Sequence, residues 1–271
     1  MSCVAKTTAG ADEDADRKYA VEVGARGGFE LRPNETAPPP GPSAILDDVG
    51  RVWDPQRYAV ARGPIRLGRL RDRARFSRTP AANVSNVPVK FPGTGYRIPA
   101  ELTGVTELLQ SCIDCEHAMN PGVADCYAYL TVDRGLIPAG YAQRGFDIHA
   151  DFLQGTRLAR KHIVDHGYLC TDRDPPRFFV QPFELSVEDV AGDAYNAAFA
   201  RQARAECAAG VAPYDVVLFD AYCVHGAVAA TRTATRTFVR FFYSVAIYDR
   251  FGDTHNALFD YRWKMDYRPR P

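Results

Sequence analysis

The chain has no net charge to speak of: 33 Lys and Arg residues stand against 33 Asp and Glu over 271 residues. A protein that coats nucleic acid or an anionic membrane needs a strong positive excess, and the balance argues against both as the main function. Long apolar runs are also missing. Stretches such as Val216 to Phe219 fall far short of the roughly 20 residues that cross a bilayer. The first residues, MSCVAKTTAGADEDADRK, are acidic and lack an apolar centre, so no secretory signal is expected. Seven cysteines without such a signal point to free thiols in a reducing, cytoplasmic setting rather than to a disulfide framework. No internal repeat is visible.

What is present suits one large domain with an ordinary apolar fraction of 46%. Residues 1–17 read as a mobile acidic N-terminus and 18–271 as a single domain. Tyr19, Val21 and Val23, then a turn at 25–28, then Phe29 and Leu31 suggest a hairpin. Pro38 to Pro42 reads as a stiff connector. Leu102, Val105, Leu109, Cys112 and Ile113 recur at helical spacing within 101–118, inside a helical and irregular part spanning 43–120. From 126 the pattern turns to strands: 127–132, 141–149, 177–183, 215–219 and 236–248. Helices are expected at 155–166 and at the Ala-rich 193–208. The fold class is therefore mainly β with flanking helices, a β-sandwich or jelly roll with its core at about 126–248.

The chemistry concentrates in two places. In Gly145-Phe146-Asp147-Ile148-His149-Ala150-Asp151 a His and an Asp stand two apart at a strand end. Side chains alternate along a strand, so both can reach one cation. His225 follows the apolar strand 215–219 and precedes Gly226. Two imidazoles and one carboxylate with open positions left on the metal form the facial triad of non-haem Fe(II) oxygenases. Arg236 and Arg240 then lie 11 and 15 residues beyond His225, on one face of the last strand. A guanidinium facing the interior needs an anion, which a dicarboxylate supplies.

The order His149-x-Asp151, His225, Arg236 resembles the 2-oxoglutarate- and Fe(II)-dependent oxygenase superfamily, with arginine offsets similar to its taurine dioxygenase-like and phytanoyl-CoA hydroxylase-like branches. The resemblance covers roughly 126–248. It implies a double-stranded β-helix, the cupin-like jelly roll. It implies Fe(II) on His149, Asp151 and His225, with 2-oxoglutarate and O2 as co-substrates. It implies Arg236 on the distal carboxylate of 2-oxoglutarate, with Arg240 as second candidate or as an anchor for an anionic substrate. The reaction implied is hydroxylation of an unactivated C–H bond, coupled to decarboxylation of 2-oxoglutarate to succinate. Members often carry a serine two residues after the arginine; here Phe238 and Phe242 stand there.

Secondary candidates are Tyr127, Tyr129 and Thr131 on one strand face, for co-substrate or substrate, against barrel packing. Gln181, a polar residue in an apolar strand, and Gln143 and Arg144 are pocket candidates. Cys112-x-x-Cys115-x-His117 with Cys126 offers a zinc site, weakened by the lack of a second ligand pair; buried thiols are the simpler reading. Residues 62–78 hold seven arginines against the single acid Asp72. That run reads as a solvated face paired with acids elsewhere, or as a docking surface for a phosphate-bearing, acidic, nucleic-acid or protein partner. A small-molecule substrate is the first expectation. A non-catalytic jelly-roll binding protein is the rival from another class.

Overall fold

The computed structural model describes residues 27–34, 45, 47–80, 83–145, 147–152, 164–191 and 194–265. The acidic N-terminus, the 19–23 strand, the proline connector and most of the 155–166 helix lie outside the described residues.

In chain order, β1 (Gly28–Leu31) precedes β2 (Ile65–Arg69), α1 (Arg73–Ser77), β3 (Asn83–Lys90) and β4 (Tyr96–Pro99). A 3-10 segment, Ala100–Val105, kinks into α2 (Thr106–Met119). The strand-rich half follows as β5 (Tyr127–Ile137), β6 (Ile148–His149), β7 (His166–Thr171) and β8 (Arg177–Phe179). After α3 (Val187–Ala191) and α4 (Tyr195–Gln202) come β9 (Ala208–Gly210), β10 (Asp215–Asp220), β11 (His225–Gly226) and β12 (Ala234–Ser244). The described chain is mainly β. Six strands form an antiparallel sheet in the order β2-β10-β7-β12-β5-β3, four form a second in the order β6-β11-β8-β9, and β1 pairs with β4.

β12 shows why this half is a sheet. Its sequence alternates Arg236, Phe238, Arg240 and Phe242 with Thr237, Val239, Phe241 and Tyr243. The second set is almost wholly buried on the outer face of the large sheet. There α2 lies over it: buried Leu109, Cys112 and Ile113 join one core with Val239 and Phe241, and Glu116 reaches across to β7. The first set faces the small sheet. Phe152, Phe178 and Phe219 pack between the sheets, with ring centroids 5.3 Å apart for Phe152–Phe219 and 5.8 Å for Phe178–Phe219. Close approach of β7 and β12 depends on Gly167, where a Cβ would stand 2.6 Å from the Phe242 Cβ.

Several expected boundaries move. The strand at 141–149 shrinks to β6, because Gly140 and Gly145 adopt φ of 83° and 84° and turn the chain. β1 pairs with β4, across Gly28↔Pro99 to Leu31↔Tyr96. His166 opens β7, a fully buried strand whose continuous burial hides the period-two signal. The strand 177–183 stops at Phe179, ahead of Pro182. The helix expected over 193–208 spans only α4, since Ala203 and Arg204 turn extended. The arginine run folds as β2 and α1, joined to the large sheet through β10. Among the described residues no helix is long and apolar enough to cross a membrane.

Candidate metal centre

His149 and His225 are direct cross-strand partners on β6 and β11, with imidazole centroids 4.6 Å apart. The neighbouring strand β8 places Phe178 against His225 on its other side, at 5.2 Å. Each imidazole is oriented by its own backbone. His149 Nδ1 donates to the Asp147 carbonyl at 2.8 Å, and His225 Nδ1 to the Cys223 carbonyl at 2.9 Å. Both donations fix the tautomer that leaves the Nε2 lone pair free, the arrangement by which an outer hydrogen bond prepares a histidine to bind metal.

Asp151 completes the group in the turn after β6. Its Oδ1 lies 4.0 Å from His149 Nε2, and its Oδ2 lies 3.7 Å from His225 Nε2. One ligand atom from each of the three residues falls within 4.8 Å of the others, and no further group of this kind occurs among the described residues. The donor set of two imidazole nitrogens and one carboxylate oxygen suits a divalent transition metal with coordination positions to spare. Phe152 directly follows, at φ 69°, a left-handed conformation that bulky residues rarely adopt and that marks constrained sites.

The electrostatics are those of a place prepared for charge. Burial alone would raise the Asp151 carboxyl, but the Arg240 guanidinium and both imidazoles outweigh it and hold the carboxyl well below the usual range. Burial and the facing His149 push the His225 imidazole down to about 4, so it stays neutral and able to ligate. Arg240 Nη1 donates to Asp151 Oδ1 at 2.5 Å, while Nη2 donates to Asn86 Oδ1 at 3.2 Å. The Oδ2 atom thus remains for a cation while Oδ1 is held.

Arg236 lies one arginine-spacing away on the same face and is 8% exposed. Its Nη1 donates to Gln143 Oε1 at 2.5 Å, its Nε to the Arg173 carbonyl at 2.9 Å and its Nη2 to the Asp174 carbonyl at 3.1 Å. Two guanidinium groups lie over the Phe238 ring, those of Arg236 at 5.5 Å and Arg144 at 5.2 Å. Arg236, Gln143 and Arg144 therefore meet in one cluster.

The remaining candidates are placed differently. The Tyr129 hydroxyl donates to the Ala246 carbonyl at 3.0 Å and accepts from Tyr248 N at 3.1 Å, and its ring lies over Phe242. Tyr127 stacks on Tyr129 and meets Phe91. The Thr131 hydroxyl bonds Asn86, which links it to Arg240. Gln181 ties the end of α4 to β8: its amide donates to the Gln202 carbonyl at 2.9 Å and accepts from Arg204 N at 2.8 Å. Cys112 is buried in the core, Cys115 contacts Met119, and Cys126 donates to the Gly122 carbonyl. His117 bonds the Tyr96 hydroxyl. These four residues form no ligand cluster.

Arg62, Arg66 and Arg69 of the arginine run pair with acids, while Arg73 and Arg78 donate to the Leu70 and Ala74 carbonyls. Arg62 bridges Asp48, at 2.6 Å, and Asp220, and Arg66 and Arg69 both pair with Asp215. Asp220 ends β10, and its carboxylate accepts from Tyr222 N at 3.0 Å, closing the turn that delivers His225. Sequence reasoning missed Asn86, Asp220 and Arg62 as supports of the site. The strained φ of 44° at Asn86 depends on a β-bulge between Val84 and Val87, which has no sequence signature.

No protein-family model matches the chain, and no curated protein matches it. Among solved structures, the crystal structure of EvdMO1 is 13% identical, covering 70% of this chain and 49% of that one at a TM-score of 0.33. The chain thus spans about half the length of that structure, and a likeness this remote carries no argument about fold or function.

Proposed function

We propose that the chain is an Fe(II)- and 2-oxoglutarate-dependent dioxygenase that hydroxylates a C–H bond of a small molecule. The observation that carries this reading is the pair of opposed imidazoles, each with Nδ1 tied to a backbone carbonyl, facing one carboxylate. The strand order supports it. From β5 to β12 the chain passes between the large and small sheets, giving β5-β12-β7-β10 in one and β6-β11-β8-β9 in the other. That alternation fits the winding expected of a double-stranded β-helix, with His149 on the edge strand β6 of the smaller sheet, His225 on its neighbour β11, and Asp151 in the turn after β6.

Bound iron would supply activation of O2, coupled to oxidative decarboxylation of 2-oxoglutarate. The residues of this chain have the following parts. His149 and His225 would hold the metal through Nε2 and Asp151 through Oδ2. Arg240 keeps the carboxylate of Asp151 ionised and oriented. Phe152, Phe178, Phe219 and Phe242 exclude water from one side of the triad. Arg236 would take the far carboxylate of 2-oxoglutarate. Its present partners are neutral acceptors, whereas Arg240 already has an anion at Asp151. A buried guanidinium held by neutral groups gains most from a carboxylate.

The test is anaerobic addition of Fe(II) and 2-oxoglutarate, followed by the metal-to-ligand charge-transfer absorbance. The band should appear in wild type and vanish in His149→Ala and His225→Ala. Arg236→Leu should raise the 2-oxoglutarate concentration needed for the band while leaving metal affinity in place. A band indifferent to both histidines would refute the proposal, and an equal loss of metal and 2-oxoglutarate affinity in Arg236→Leu would refute that residue's role.

A further inference from the structure

After β12 the chain folds back along the β3 edge. Thr254 N donates to the Ser85 carbonyl at 2.7 Å, and Asn256 Nδ2 donates to the Pro88 carbonyl at 2.8 Å. This return lines a half-open cavity of about 310 Å³ between Pro88, Tyr248, Asp253, Tyr261 and Trp263. Its size is that of a small-ligand site. Three of these walls are aromatic. Tyr261 and Trp263 have centroids 4.6 Å apart, and His255, also a wall of the cavity, stacks on Tyr261 at 4.5 Å.

Asp253 supplies the one carboxylate among the described residues of the cavity walls. Its Oδ1 accepts from Asn86 Nδ2 at 2.9 Å and its Oδ2 from Arg250 N at 3.2 Å. A carboxylate oxygen has two acceptor sites, so each still has one to offer. Among the described residues, Arg262 is the one arginine or lysine at the cavity, and it is exposed. Aromatic faces around a carboxylate attract an organic cation, because the ring quadrupole and the formal charge act in the same sense.

The cavity is also joined to the metal centre. From Asp253 a chain of hydrogen bonds runs through Asn86 to Arg240 and on to Asp151, at 2.9, 3.2 and 2.5 Å. Tyr248, a cavity wall, packs on Phe242 of the same strand face at 4.8 Å.

We infer that this cavity binds an organic ammonium ion with an aromatic body. The inference does not rest on the oxygenase reading, and binding needs no metal. The ammonium group bonds Asp253, and the ring lies against Tyr261 and Trp263.

Tyramine is a suitable probe, and 3-(4-hydroxyphenyl)propionate is its anionic counterpart. Each is titrated into the full chain with chelator present, following tryptophan emission excited at the red edge. Tyramine should give a saturable change that Trp263→Phe abolishes, leaving only the Trp53 signal. Asp253→Asn, which keeps the side chain's shape, should weaken tyramine about tenfold, the loss expected for one charge-assisted hydrogen bond. The propionate should not saturate. Absence of a saturable tyramine response, or equal binding of the propionate, overturns the inference. The same preparation then receives Fe(II) and 2-oxoglutarate anaerobically. Tyramine binding without the charge-transfer band refutes the oxygenase reading and leaves the cavity assignment standing; the band without tyramine binding refutes the cavity assignment alone.

Discussion

Arg240 is the residue whose removal tests the electrostatics of the metal centre most sharply. Its Nη1 lies 2.5 Å from Asp151 Oδ1, with side-chain exposures of 13% and 15%. Replacing it by methionine keeps most of the packing against Phe152 and Phe242 but leaves a carboxylate without its cation. Breaking a buried pair from one side costs about 3–5 kcal/mol. The residual exposure of Asp151 places the expected loss at the lower end, about 3 kcal/mol. For a chain of this size, 1 kcal/mol shifts Tm by about 2–4 °C, so metal-free Arg240→Met should melt about 6–12 °C below wild type. A divalent ion on the triad restores the missing positive charge. Mn(II), which needs no anaerobic handling, should therefore raise the variant's Tm more than that of wild type, where Arg240 repels the incoming cation. At an ion concentration 100 times its Kd, binding stabilises by about 2.7 kcal/mol, so most of the deficit should be recovered. Differential scanning calorimetry with and without Mn(II) reads both quantities. A metal-free Tm within 2 °C of wild type, or an Mn(II) shift no larger than wild type's, would refute the reasoning.

Two further outcomes follow from groups outside the site. Buried Glu116 accepts from His166 Nε2 at 2.8 Å and from the Tyr168 hydroxyl at 2.7 Å. Burial opposes charge on both partners, yet their mutual attraction wins, raising the His166 imidazole and lowering the Glu116 carboxyl. A raised imidazole keeps its proton in the folded state after the unfolded chain has lost it. Its stabilisation is thus complete below about pH 6.5 and lost as pH rises through the folded value. Urea midpoints of wild type should fall from neutral toward alkaline pH relative to Glu116→Gln, and parallel curves would exclude a charged pair. Gly167→Ala should cost about 1–3 kcal/mol, the usual penalty of overpacking, since the new Cβ meets the Phe242 Cβ at 2.6 Å and the Phe241 carbonyl at 2.9 Å. An unchanged unfolding midpoint would mean that β7 and β12 separate more easily than their packing implies.

By itself the sequence determined the features carried by short-range pattern. The period-two alternation of β12 separated Arg236 and Arg240 from Val239, Phe241 and Tyr243, and the structure keeps those two faces apart. The helical spacing over 101–118 found α2 within its kinked start. His149, Asp151 and His225 were legible as candidates because each follows or ends a strand, and their ligand atoms converge. Tertiary structure alone decided what depends on residues distant in sequence. That Arg62 of an arginine run would end beside Asp220 and steady the turn before His225 follows from β2 pairing with β10, a long-range contact with no local signal. That Arg240 would meet Asp151, with Asn86 linking both to Asp253, follows from a bulge in β3 and the return of the chain after β12. Side-chain type and periodicity specify which face a residue presents. Which opposing charge it meets there is set by strand order and register, and these are fixed by burial of the whole core at once.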